Sequence, residues 1–153
     1  MKTNPECSPW RWELPNTTKA AERLCGELLE TARRQGFEEE DLFAIHLALE
    51  EAFVNAIQHG NGDDLRKKVF VRCTVTPEKF DITIADQGSG FNPDALPDPR
   101  RPENLYKSSG RGVLLIRAYM DQVEYNAQGN QIRMVKFKGG KGPRKDPPKK
   151  STC

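Results

Sequence analysis

Ala48-Leu49-Glu50-Glu51-Ala52-Phe53-Val54-Asn55-Ala56-Ile57-Gln58-His59-Gly60 is the stretch on which the fold turns. Apolar residues recur at Leu42, Ile45, Leu49, Ala52, Phe53 and Ala56, the spacing of one helical stripe. Glu38, Glu39, Glu40 and Asp41 put negative charge on the first turn, where the helix dipole favours it. Gly60-Asn61-Gly62-Asp63 then stops the helix. Glu51 and Asn55 stand four apart and share a side of it, roughly opposite the stripe. That side is either solvated, as charged surface usually is, or covered, because Leu47, Ala52 and Ala56 make the helix apolar on most of its sides. If covered, a carboxylate and an amide oxygen suit a proton transfer and a hard cation. Mg²⁺ takes oxygen ligands and keeps several waters, so one amide with phosphates would suffice.

Downstream of the helix, residues 69–75 and 79–85 alternate apolar and polar, joined by Thr76-Pro77-Glu78 as a hairpin. The second strand runs into Asp86-Gln87-Gly88-Ser89-Gly90-Phe91. An ionised carboxylate only accepts hydrogen bonds, so Asp86 could take the exocyclic amino group of adenine. Gly88 and Gly90 allow close backbone approach. An ordinary Asp-x-Gly turn is the plain alternative, which Phe91 disfavours slightly. Residues 92–109 hold Pro93, Pro97, Pro99 and Pro102 and little periodicity; loops this long are usually functional or mobile. Lys107-Ser108-Ser109-Gly110-Arg111-Gly112 leads into a helix expected over residues 113–120. Glycines at a helix start present backbone N–H groups along the dipole, an anion site that Lys107 and Arg111 could reinforce. A hinge with a capping serine is the alternative.

Upstream, residues 10–14 alternate as a short strand ended by Pro15-Asn16. Thr17 or Thr18 caps a helix carrying Ala21, Leu24, Cys25, Leu28, Leu29 and Ala32, and Gly36 ends it. Residues 123–126 and 132–137 read as a closing hairpin across Ala127-Gln128-Gly129-Asn130. The order β-α-α-β-β-loop-α-β-β lacks strict βαβ alternation. It predicts an α+β two-layer sandwich, with a mostly antiparallel sheet and helices on one face. No P-loop pattern and no G-x-G-x-x-G after the first strand occur, so neither of those nucleotide sites is expected.

The chain of 153 residues can bury one core. It has 36% hydrophobic and 30% charged residues, and no apolar run approaches the ~20 residues of a membrane span. MKTNPECSPWRW lacks a signal-peptide core, so a cytoplasmic protein is expected. Cys7, Cys25, Cys73 and Cys153 form no CxxC pair, and with two histidines a zinc site is not expected. Free thiols, Cys25 a small core residue, are the reading. From Gly139 onward, five basic residues stand against Asp146, giving the tail +4; the chain's net +2 leaves the body at −2. The domain is expected over residues 1–138 and a basic Gly/Pro-rich disordered tail over 139–153. Direct nucleic-acid binding is not expected.

Together these stretches resemble the GHKL, or Bergerat-fold (histidine kinase-like), ATPases, and within them the anti-sigma factor serine kinases of the RsbW and SpoIIAB type. Residues 48–60 look like their N box, 86–91 the G1 box and 109–116 the G2 box, and Met120-Asp121-Gln122-Val123 continues the similarity. The resemblance covers about residues 10–138. It implies an ATP/ADP site in which Glu51 is the general base, Asn55 the Mg²⁺ ligand and Asp86 the adenine reader. Gly88, Gly90, Gly110 and Gly112 would shape the pocket, with Lys107, Ser108, Ser109 and Arg111 at the end of an ATP lid formed by residues 92–109. Asn130 stands where relatives often carry Thr near adenine, and Ser108 where several carry Arg, whose fork a neighbouring lysine does not reproduce. His59 either approaches phosphate or simply finishes its helix. The implied activity is serine/threonine protein kinase action on an anti-anti-sigma (STAS-type) protein, with a sigma factor as second partner. A homodimer is compatible with this, and no membrane is involved. The alternative is a non-catalytic nucleotide-binding partner-switch module.

Overall fold

The computed structural model describes residues 9–88 and 108–140, residues 108–111 by their backbone alone. Strands β1 (Trp10–Pro15), β2 (Lys68–Val75), β3 (Lys79–Ala85), β4 (Gln122–Tyr125) and β5 (Gln131–Phe137) form one sheet in the order β1-β2-β3-β5-β4. Every neighbouring pair is antiparallel. Helices α1 (Thr18–Arg34), α2 (Glu39–Val54) and α3 (Ser108–Tyr119) complete the α+β sandwich. The one pairing between non-consecutive strands is β3 with β5. It brings the Asp86 end of β3 beside the start of β5.

Period-two alternation assigns each strand residue to a face. One register row runs Trp12, Val71, Ile84, Ile132, Tyr125, and the next runs Trp10, Cys73, Ile82, Met134, Val123. Ile82, Ile84, Met134, Val71 and Cys73 are buried in the core with Leu28 of α1, Ile45 and Leu49 of α2 and Ile116 of α3. The expected stripe of α2 is buried in full, from Leu42 to Ala56. Thr17 caps α1, its side chain accepting from the Ala20 N–H at 3.2 Å. Gly36 follows α1 with φ +94°, a left-handed turn that glycine takes without strain.

Three features differ from the sequence expectation. First, α2 does not simply stop: it continues as a π turn over Asn55–Gly60, closed by the Asn61 N–H donating to the Ala56 carbonyl at 2.8 Å. A π turn leaves no trace in apolar spacing, because it changes hydrogen-bond partners and not residue types. Second, α3 begins at Ser108, so Ser108, Ser109, Gly110 and Arg111 are its first turn and not a lead-in. The glycines hid this, since their helix propensity is low. Third, Asp41 is buried and its Oδ2 accepts the Gly139 N–H at 2.8 Å. It holds the chain where β5 ends, beyond any dipole role. Lys136 Nζ similarly donates to the Gly140 carbonyl at 2.8 Å.

Candidate functional site

The site is built at the end of α2, the end of β3 and the start of α3. Glu51 and Asn55 are both partly buried, so their side of the helix is covered and not a solvated face. What covers it is α3. A methyl group on Gly112 would sit 2.8 Å from Glu51 Oε2 and 3.3 Å from Asn55 Nδ2. Only glycine lets the start of α3 come this close to both side chains. Asn55 Oδ1 is buried and has no hydrogen-bond partner among the described residues. A buried, unpaired acceptor is costly, and an oxygen ligand offered to a cation resolves that cost. The donor set thus fits Mg²⁺.

Glu50 goes the other way. It meets His46 at 2.8 Å and, with Cys25 and Phe53, lines a separate cavity of about 330 Å³ between α1 and α2. That cavity is the roomier one, but Glu51, Asn55 and Asp86 do not line it. Burial and the nearby Glu50 and Glu22 carboxylates push the Cys25 thiol up to about 12, so it stays a protonated core group.

Asp86 leaves β3 half-buried, with its own N–H donating to the Asn130 carbonyl at 2.9 Å. Its Oδ1 accepts the Gly88 N–H at 2.7 Å. Burial raises the carboxyl above its ordinary value, opposed by that hydrogen bond and by the Lys67 charge. The turn packs tightly on the π turn. A methyl on Gly60 would lie 2.2 Å from Asp86 Oδ2, and one on Gly88 would lie 2.0 Å from the Gly60 carbonyl oxygen. Asn55, Asp86, Asn130, Ala52, Ile84 and Ile132 line one cleft, whose described walls enclose about 20 Å³. Its apolar floor is the Ile84–Ile132 pair of the inner register row.

Asn130 is in this cleft but occupied by the protein itself. Its Nδ2 donates to the Gly88 carbonyl at 3.1 Å, and its Oδ1 accepts from Asn126 Nδ2 at 2.8 Å. It braces the Asp86 turn and also lines the cleft. Gly90 and Lys107, with residues 92–107 of the expected lid, lie outside the described residues, as do the side chains of Ser108, Ser109 and Arg111. Gly110 belongs to the first turn of α3. His59 lies within the π turn.

Sequence reasoning missed three asparagines. Asn61, read only as part of a helix stop, is 2% exposed. Its Oδ1 accepts the Gln87 N–H at 2.7 Å, and its Nδ2 donates to Asn16 Oδ1 at 3.0 Å and the Lys68 carbonyl at 2.9 Å. Asn16 in turn donates to the Asp64 carbonyl at 3.1 Å. Asn126 accepts the N–H groups of Asn130 and Gln131 at 3.0 and 3.2 Å. Asn61 therefore clamps the Asp86 turn at Gln87, and Asn126 braces the other side through Asn130, which holds Gly88. No sequence signal marks them, because turn asparagines are common.

The Glu51 carboxylate, the unpaired Asn55 amide oxygen and the Asp86 carboxylate are thus brought to one region by α2 with its π turn, the end of β3 and the start of α3. The profile of the histidine kinase-like ATPase domain matches residues 14–136. The chain belongs to the histidine kinase-like ATPase domain family. Within it, this domain is 30% identical over 113 residues to the serine-protein kinase RsbW of Oceanobacillus iheyensis, covering 69% of this chain and 72% of the relative. It is 28% identical to the RsbW of Bacillus velezensis over 71% and 72% of the two chains. An anti-sigma F factor of Clostridium perfringens is 33% identical over 63% of this chain and 73% of its own. A solved structure of the RsbU and RsbW domains of a Mycobacterium tuberculosis protein shares the fold, with a TM-score of 0.51 at 14% identity. That match covers 84% of this chain and 31% of the longer one. Among the described residues no helix of this ATPase domain is long and apolar enough to cross a membrane.

Proposed function

We propose that the protein is a serine protein kinase and anti-sigma factor that passes the γ-phosphate of ATP to a serine of a STAS-type anti-anti-sigma protein. The observation that carries the reading is the pairing of Glu51 Oε2 with the start of α3, one helical turn from the unpaired Asn55 Oδ1. The similarity to serine-protein kinases of the RsbW type supports it. Asn55 would hold Mg²⁺, which when bound neutralises charge on the phosphates. Asp86 would accept the adenine amino group. Ile84 and Ile132 give the base an apolar floor. Glu51 would take the hydroxyl proton of the acceptor serine as that oxygen attacks. Phosphoryl transfer asks a protein mainly for positioning and charge stabilisation, and the close seam between α2 and α3 is suited to that. Because the relatives bear the names anti-sigma F factor and RsbW, a sigma factor is the partner released or held as the substrate's phosphorylation state changes.

The test is incubation with γ-labelled ATP, Mg²⁺ and a purified STAS-type protein of the same organism. The reading expects acid-stable label on serine of that protein. Nucleotide binding without any label on it would leave a partner-switch module in place of a kinase.

A further inference from the structure

The seam between α2 and α3 does not end at the reaction site. Glu51 faces Gly112 at one end. At the other, the rings of Phe43 and Tyr119 meet edge to face with centroids 6.2 Å apart. The two helices therefore run antiparallel, with about 12 Å of α2 between Glu51 and Phe43 at 1.5 Å per residue. On α2, Leu47 lies four residues from both Phe43 and Glu51. On α3, Leu115 lies three from Gly112 and four from Tyr119. Those spacings put both leucines on the sides that carry the seam.

Among the described residues, this strip is apolar and uncovered. Phe43 is 59% exposed and Leu115 37% exposed, while Leu47 and Tyr119 are partly buried. Single exposed apolar residues need no explanation. Here two aromatic rings and two leucines form one ledge that leads to a carboxylate. We propose that this ledge is the docking surface for the protein that presents the acceptor serine. The proposal rests on the kinase reading above.

Two considerations favour that occupant. An acceptor serine must reach Glu51, so its protein must touch ground next to Glu51. A standard interface of about 800 Å² per partner has a radius of roughly 16 Å, and the whole ledge lies within that reach. Aromatic side chains are also the usual energetic anchors of an interface.

The experiment compares the full chain with Phe43→Ser, Leu115→Ser and Phe43→Trp, and with Leu65→Ser as a control. Leu65 is 76% exposed and lies in the loop before β2, outside both helices of the seam. For each, the oligomeric state, the affinity for a purified STAS-type protein, the affinity for Mg-ATP, and KM and kcat of transfer are measured. The proposal expects Phe43→Ser and Leu115→Ser to raise Kd and KM for the protein about tenfold or more. It expects kcat and Mg-ATP affinity to stay within about twofold, since only uniform substrate binding is removed. Phe43→Trp and Leu65→Ser should match the wild type. Unchanged KM with weakened Mg-ATP binding would overturn the proposal in favour of residues 89–107 covering the ledge. Unchanged KM with loss of a dimer would overturn it in favour of a second copy. If every quantity is unchanged, the ledge is plain solvent surface and the docking proposal alone falls. A wild-type chain that neither binds nor labels any such protein would remove the kinase reading and the docking proposal together.

Discussion

Gly112 shows how one missing side chain organises this site. Its position inside α3 costs helix stability, since glycine is worth roughly 0.5–1 kcal/mol less than alanine there. What that cost permits is the close approach to Glu51 and Asn55. Gly112→Ala should therefore leave the unfolding free energy unchanged or slightly higher, because Glu51 is the far end of a flexible side chain and can move. Phosphoryl transfer should nonetheless fall on the order of tenfold or more, since a displacement near 1 Å can cost ~100-fold. Denaturant titration and a transfer assay on the same sample separate the two effects. Asp86 carries a second residue-scale prediction. Burial holds its carboxyl above the ordinary 3.8, so the neutral form is favoured in the fold. Ionisation of this group therefore costs stability as pH rises from the unfolded-state value through the folded one, and acid does not unfold the protein through it. In its proposed role as adenine reader, Asp86 has the opposite need, an ionised acceptor. ADP affinity should weaken on acidification at a higher pH than an exposed carboxylate would require. Asp86→Asn should remove that acid limb; an unchanged acid profile in that variant would assign the limb elsewhere.

At the scale of elements, the helices and strands were legible because their apolar residues repeat at the right period. The stripe of α2 and the alternating faces of β2 and β3 were readable for this reason, and so was the placement of Glu51 and Asn55 on one side. The π turn, the early start of α3 and the Asn61 clamp were not. Each depends on which backbone groups pair across the fold, and residue spacing does not encode that. The Asn61 clamp is also the element most exposed to test. Asn61→Ala would leave the Gln87 N–H, Asn16 Oδ1 and the Lys68 carbonyl without their present partner. An unsatisfied buried polar group costs ~1–3 kcal/mol, so urea unfolding should show a loss of about 2–3 kcal/mol. Nucleotide affinity should fall with it, because the Asp86 turn loses one of its two clamps. A stability change below about 0.5 kcal/mol, the range of ordinary surface substitutions, would mean that the clamp is not holding the turn.

Across the whole molecule, the antiparallel sheet and the helix layer serve one geometric end. The β3–β5 pairing sets Asp86 against Asn130, and the π turn sets Gly60 against Asp86. The antiparallel packing of α2 and α3 sets Gly112 against Glu51. The three short motifs could be read from the sequence, but the contacts between them could not, since they lie far apart in sequence and meet only through this topology. The ordered set of motifs was legible as a nucleotide site. The occupation of Asn130 by Gly88 and Asn126, and the apolar ledge running out from Glu51, emerged only in three dimensions. The central claim is that Glu51 takes the proton of an acceptor serine beside a bound nucleotide. The most direct measurement is single-turnover transfer from Mg-ATP to a purified STAS-type protein by the wild type and by Glu51→Gln. The account predicts a fall of about 100-fold or more in the transfer rate, the range for loss of a general base, with Mg-ATP affinity essentially unchanged. Equal transfer rates in the two proteins would contradict it.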